Sequence, residues 1–137
     1  EVGHGLSARP VRRGTDACII GVGKMLAAAT EAAEALEAEG ISVTVWDPRV
    51  VKPFDEVMVV DALKHPIVIT VEDGLADGGV GSALADDLRR RSCGGGPKVA
   101  VLGVPDRYLL HAKPDAILAE LGLDAAGIAA SVRTLRD

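Results

Sequence analysis

Four short runs rich in β-branched residues punctuate this chain: Ala17 to Val22 (ACIIGV), Ile41 to Trp46 (ISVTVW), Ile67 to Val71 (IVITV) and Lys98 to Leu102 (KVAVL). Their alternation with helix-patterned segments narrows the fold more than any other feature. Runs that are apolar at successive positions suit strands covered on both faces. A strand that returns parallel to its predecessor through a helix does so as a right-handed βαβ unit. The first expected helix is Lys24 to Glu39, with Leu26, Ala29, Ala33 and Leu36 on one face and Gly40 as its stop. The second opens at Pro53-Phe54-Asp55, keeps Val57, Val60 and Leu63 or Lys64 at helical spacing, and stops at His65-Pro66. A third spans Val80 to Arg91, and two short ones, Pro114 to Leu121 and Asp124 to Leu135, flank Gly122. Ser7 to Val11 adds a strand joined to ACIIGV by the turn Arg13-Gly14-Thr15-Asp16, a connection short enough to imply an antiparallel hairpin. The expected architecture is α/β: a three-layer sandwich on a mostly parallel five-stranded sheet with one antiparallel edge strand.

A chain of 137 residues is about one domain long, and at that size roughly two-thirds of the unfolded surface is buried on folding. Ordinary apolar and charged fractions, 48% and 26%, argue against disorder. No apolar run approaches the ~20 residues of a membrane helix. The net charge of −5, with Trp46, Phe54 and Tyr108 as the only aromatic residues, argues against a nucleic-acid surface. The cluster Arg89-Arg90-Arg91 reads instead as a helix C-terminus, where cations complement the dipole. Cys18 and Cys93 lack metal-ligand spacing and read as free thiols of a reducing compartment. Glu1 to Pro10 has no signal-peptide pattern, so a cytoplasmic location is expected. Glu1 is not an initiating Met, as in a piece of something longer. The sequence has no Asn and no Gln, so chemistry that needs a carboxamide is not carried here.

Two glycine-rich turns are the candidate sites. Ile69 to Leu88 reads as strand, acidic pair, glycine loop and helix start, the arrangement that often cradles phosphate. Gly74, Gly78, Gly79 and Gly81 could offer backbone N–H groups. Glu72, Asp73 and Asp77 surround them with negative charge, however, and charges ~5 Å apart repel by about 1–3 kcal/mol at a partly wet surface. A loop docking on another protein surface is the favoured reading. The second turn, Gly21-Val22-Gly23-Lys24, resembles the start of a dinucleotide fingerprint, with Asp47 placed as a ribose-binding acid; Leu26 stands at the third glycine position. The structural reading is that Gly21 and Gly23 make a tight strand-to-helix turn. Ser82 with His65, His111 or His4 suggests a hydrolase, but no Gly-x-Ser-x-Gly elbow frames the serine, and the histidines fall at helix ends or in loops, where solvent-facing or capping roles are usual. Glu72 and Asp73 are adjacent on a strand and point to opposite faces, so they are no acid/base pair.

Taken in order, several segments carry a family resemblance: Gly21 to Met25; Gly40-Ile41 into Val45-Trp46-Asp47-Pro48-Arg49; Lys52-Pro53-Phe54-Asp55; Thr70 to Gly74; Gly78 to Ala83; Leu102 to Asp106 with His111; and Leu121 to Asp124 with Gly127-Ile128. The series resembles the C-terminal domain of the transketolase family, most closely its 1-deoxy-D-xylulose-5-phosphate synthase branch. The resemblance implies residues 1–13 as a linker and edge strand from a preceding domain and 14–137 as the C-terminal-like domain. It implies an enzyme that uses thiamine diphosphate and Mg2+ to join a two-carbon unit from pyruvate to glyceraldehyde 3-phosphate. Cofactor and metal would be held by the N-terminal and pyrimidine-binding domains, the metal through a Gly-Asp-Gly segment and a downstream Asn, so this chain alone would be inactive. Its implied role is structural, in domain and dimer contacts, with no catalytic, cofactor or metal residues of its own. Asp47, Pro48, Arg49, Lys52, Phe54, Glu72, Asp73, Gly78, Gly79, Gly81 and Ser82 are the expected interface. The rival readings are a separate assembly subunit of a split transketolase-like or 2-oxoacid dehydrogenase β-type complex, and a small nucleotide-binding domain.

Overall fold

A computed structural model describes residues 7–49, 54–75, 79–92, 95–104, 118 and 120–137; for 73–75 and 104 the description is of the backbone. The elements run β1 (Arg9–Arg12), β2 (Ala17–Gly21), α1 (Met25–Ala38), β3 (Val43–Asp47), α2 (Glu56–Ala62), β4 (Ile67–Leu75), α3 (Val80–Ser92), β5 (Lys98–Val104) and α4 (Ala125–Arg136). The expected helix Pro114 to Leu121 falls mostly outside the described residues, of which Leu118 and Glu120 are helical.

The sheet order is β1-β3-β2-β4-β5, with β2, β3, β4 and β5 mutually parallel and β1 antiparallel at the edge. The antiparallel edge strand is as expected, but its partner is not: β1 pairs with β3 rather than forming a hairpin with β2. Crossing one intervening strand requires a span of about 10 Å, and four extended residues reach about 13 Å. The connection passes beneath the start of β3 and is fastened there. Asp16 and Ala17 donate their backbone N–H groups to the Ser42 carbonyl, and Ser42 N–H donates to Asp16 Oδ2 at 2.7 Å. Gly14 must be glycine, because a Cβ would lie 2.3 Å from the Val43 nitrogen.

Side chains alternate across the sheet, as a strand's two-residue period requires, and fill two cores. On one face Ile19, Val45, Ile69 and Val71 pack with Met25, Ala29, Ala33 and Leu36 of α1 and with Ile128 and Val132 of α4. On the other, Cys18, Ile20, Trp46 and Val68 pack with Met58, Val59 and Ala62 of α2 and with Leu84 and Leu88 of α3. Helices on both faces make the expected three layers. Asp124 caps α4 by accepting the Gly127 N–H at 2.8 Å, and Asp55 caps α2 by accepting the Met58 N–H at 3.1 Å.

The rotation of α2 corrects one expectation. Met58, Val59, Asp61 and Ala62 face inward, whereas Val57 and Val60 face out. Asp61 fixes this rotation. Its carboxylate accepts the Trp46 Nε1–H at 2.8 Å and both terminal nitrogens of Arg13 at 3.1 and 3.2 Å.

Candidate functional site

Because β2 to β5 are parallel, their C-terminal ends share one edge of the sheet. The chain passes from β2 to β3 on one side and then to β4 on the other, so the topological switch point lies between β2 and β4. This crevice is where ligands bind in open α/β sheets, and both glycine turns flank it. Here the Val22 N–H donates to the Val71 carbonyl at 2.9 Å, drawing the two turns together.

The turn after β2 is built for packing. A Cβ on Gly21 would lie 2.9 Å from the Leu26 Cα, and Gly23 has φ of 60°. The structural reading of these glycines therefore accounts for both. Asp47, the proposed ribose acid, is engaged locally: Oδ1 accepts the Arg49 N–H at 3.2 Å and Oδ2 pairs with Arg9 at 3.5 Å.

The turn after β4 is closed by the chain's own carboxylate. Glu72 is 6% exposed, and its Oε1 accepts the Gly81 N–H in the first turn of α3 at 2.9 Å. The helix dipole favours a negative charge at that position, which is where a phosphate oxygen would otherwise go. Beneath it the helix rests directly on the sheet: a Cβ on Gly81 would meet Thr70 Oγ1 at 2.5 Å and Val101 Cγ1 at 2.8 Å. Among the described residues Thr70 Oγ1 has no hydrogen-bond partner, the result of laying a glycine backbone over it. No group of three His, Cys, Asp or Glu side chains among the described residues is placed to hold a metal ion. Among the described residues a diphosphate–metal group does not fit this edge, because the anion position is filled by Glu72 and no carboxylate cluster accompanies it.

The expected interface residues divide. Pro48 is buried, Phe54 packs against the core beside Trp46, Gly81 is buried, and Gly79 and Ser82 are half-buried. Arg49 is exposed, with φ of 58°, an uncommon conformation for a residue other than glycine. The Asp47 side chain supports that turn from two residues upstream. Lys52, Gly78 and the side chain of Asp73 lie outside the described residues, as do Asp77, Cys93, His4 and His111.

A buried polar network along β3 was not expected. His65, 5% exposed rather than solvent-facing, places Nδ1 2.9 Å from the Asp61 carbonyl and Nε2 2.8 Å from Thr44 Oγ1. The Thr44 hydroxyl donates to the Gly14 carbonyl at 2.8 Å, and Nε2 lies 3.1 Å from the same oxygen. The Gly14 N–H donates to Thr44 Oγ1 at 2.8 Å. The network thus joins the β1–β2 connection, β3 and the end of α2, well away from Ser82 on α3, which removes the hydrolase pairing of Ser82 with His65. The available signal was the four-residue spacing of Asp61 and His65, which places both on one helix face. Burial alone would raise the Asp61 carboxyl. The Trp46 hydrogen bond and the Arg13 guanidinium outweigh burial and hold it below the usual aspartate range. Burial, reinforced by the Asp61 charge and partly opposed by Arg13, pushes the Cys18 thiol far up, so it stays protonated and unreactive. Arg89, Arg90 and Arg91 end α3 as expected and pair with Asp86, Asp87 and Glu56.

Residues 6–128 match the family model for the transketolase C-terminal domain. The chain belongs to the transketolase C-terminal domain family. It is 40% identical over 136 residues to a 1-deoxy-D-xylulose-5-phosphate synthase of Magnetococcus marinus, covering 98% of this chain and 21% of that protein. It is 43% identical over 137 residues to the enzyme of the same name from Anaeromyxobacter dehalogenans, covering 98% of this chain and 22% of that protein. The chain thus spans about a fifth of the length of the curated relatives it matches. A solved structure described as a split-gene transketolase, an inactive β4 tetramer, superposes with a TM-score of 0.82 at 33% identity, covering 94% of this chain and 42% of that one. The expectation of a transketolase C-terminal fold, with 1-deoxy-D-xylulose-5-phosphate synthases as near relatives, is met. No helix among the described residues is long and apolar enough to cross a membrane.

Proposed function

We propose that this chain is the C-terminal domain of a 1-deoxy-D-xylulose-5-phosphate synthase-like enzyme, one that condenses pyruvate with glyceraldehyde 3-phosphate and releases CO2. The observation that carries the reading is Glu72 on the Gly81 N–H: the edge where an independent α/β enzyme would hold its ligand is filled from within. The domain's contribution is therefore packing. Thiamine diphosphate, when bound by the whole enzyme, supplies the carbanion chemistry. Together with Mg2+ it is held outside this chain, in the N-terminal and pyrimidine-binding domains. Residues 1–13 bring the polypeptide in from the preceding domain and lend β1 to the sheet, and 14–137 form the unit itself. Arg49, exposed on a fixed turn, Lys52 between β3 and α2, and Asp73, Gly78, Gly79 and Ser82 of the segment from the end of β4 into α3 form the docking edge, with Asp47, Pro48, Phe54, Glu72 and Gly81 shaping it from beneath. The whole enzyme is a cytoplasmic homodimer.

The test is to express the complete reading frame that contains this sequence and assay it with pyruvate, glyceraldehyde 3-phosphate, thiamine diphosphate and Mg2+. Formation of 1-deoxy-D-xylulose 5-phosphate with stoichiometric CO2 supports the proposal. A full-length, folded protein that consumes neither substrate refutes it. The likeness to a split-gene transketolase favours one second reading, a separate subunit of a divided enzyme. Intact mass of the native protein discriminates: about 14 kDa supports the subunit, and a mass several times larger supports the single polypeptide.

A further inference from the structure

The outer face of α2 carries the exposed large apolar side chains of the described residues, Val57 at 70% and Val60 at 42%. They lie three positions apart and so share a face. They form one wall of a groove of about 590 Å3 whose other wall is Ala8 and Pro10, with Trp46 at its floor. Its acidic residues are engaged: Arg13 holds Asp61, Asp55 accepts the Ala8 and Met58 N–H groups, and Glu56 is drawn away by both terminal nitrogens of Arg91 at 2.7 and 2.9 Å, while the exposed Lys64 adds a cation to the rim. An apolar centre with a polar rim is the anatomy of a protein interface. Pro10 has no N–H to offer, so the adjoining edge of β1 is a poor template for strand addition. That disfavours a second copy extending the sheet edge to edge. The occupant covers the groove with side chains instead.

The family match begins at Leu6, immediately before Ser7 and Ala8, both of which line the groove. Relatives about five times longer carry this unit as their C-terminal domain, so in them the preceding polypeptide reaches it at the groove's rim. A tether of a few residues holds that region at high effective concentration over Val57 and Val60. We infer that the Val57–Val60 groove seats an apolar surface of the polypeptide region that precedes residue 6 in the full-length enzyme. This rests on the reading of the chain as part of a longer polypeptide.

The experiment places the photoreactive residue p-benzoylphenylalanine at Val57, and separately at Val60, in the full-length protein, with Ala130 on the outer face of α4 as the control position. Both groove positions are exposed, so the probe leaves the fold intact. Cross-links from Val57 or Val60 to residues before Leu6, several-fold above the Ala130 control, are expected. Cross-links to residues 7–137 of a second copy, or none above control at either position, overturn the inference. Intact mass keeps the two failures apart. A native chain that begins close to Leu6 sinks the longer-polypeptide reading and this inference with it. A long chain without the cross-links sinks the inference alone.

Discussion

The turn after β4 and the outer face of α2 differ in the direction opposite to their prominence in the sequence. Glu72 to Ser82, with its glycines and acids, is conspicuous. In the fold its carboxylate caps its own helix, and Gly81 lies flat on Thr70 and Val101. Val57 and Val60 are inconspicuous, two valines in a run of apolar residues, yet they are left open to solvent. Glycine richness reports a close approach of backbone to something. At Gly81 that something is the sheet below. Exposure of apolar area is the better sign of a partner.

The comparison breaks most readily at Gly81. Replacing it with valine forces a branched side chain into Thr70 and Val101, and overpacking of this kind costs about 3 kcal/mol; denaturant midpoints of Gly81→Val read the loss. A nearly unchanged midpoint means that α3 does not rest on the sheet as described.

Asp61→Ala comes next, at about 2 kcal/mol, since it strands the buried Trp46 N–H and releases the exposed Arg13 guanidinium to solvent. It also has a pH signature. Asp61 titrates below its unfolded value, so its stabilisation is complete above about pH 4 and is lost as pH falls through the lower folded value. Thermal melts should therefore show the gap between parent and Asp61→Ala narrowing on acidification. A gap that widens contradicts the assignment.

Glu72→Ala removes a cap and should cost about 1 kcal/mol, with Glu72→Gln recovering part of it because an acceptor oxygen remains. The smallest effect is expected at Val57→Asp. Within the 137-residue chain it should change stability by no more than about 0.5 kcal/mol. A large loss there would mean that the α2 face is part of this domain's own core.

Local pattern carried much of the fold into view. Three buried strands and the half-buried edge strand β5, α1 with its Gly40 stop, α3 with its terminal arginines and the Asp124-led α4 follow from periodicity and punctuation. The partner of β1 did not, because pairing is non-local. A four-residue connection suits a hairpin and a one-strand crossover equally well, and the deciding contacts, Asp16 to Ser42 and Gly14 to Val43 and Thr44, lie 26 to 30 positions apart. The rotation of α2 escaped for a related reason. Val57, Met58, Val59 and Val60 are apolar all round, so the buried side is chosen by a polar residue, Asp61, whose partners come from β3 and the β1–β2 connection. At the candidate edge, charge density around the glycine loop disfavoured phosphate. That Glu72 itself takes the anion position became visible only with α3 in place.

The central claim is that this domain holds no cofactor diphosphate at its sheet edge. Calorimetric titration of thiamine diphosphate with Mg2+ into the 137-residue chain, once a cooperative melt has established that it is folded, tests that claim most directly. No saturable heat up to millimolar ligand is expected, for the parent and for Glu72→Ala alike. Saturable one-to-one binding in the micromolar range by the parent chain would contradict the account.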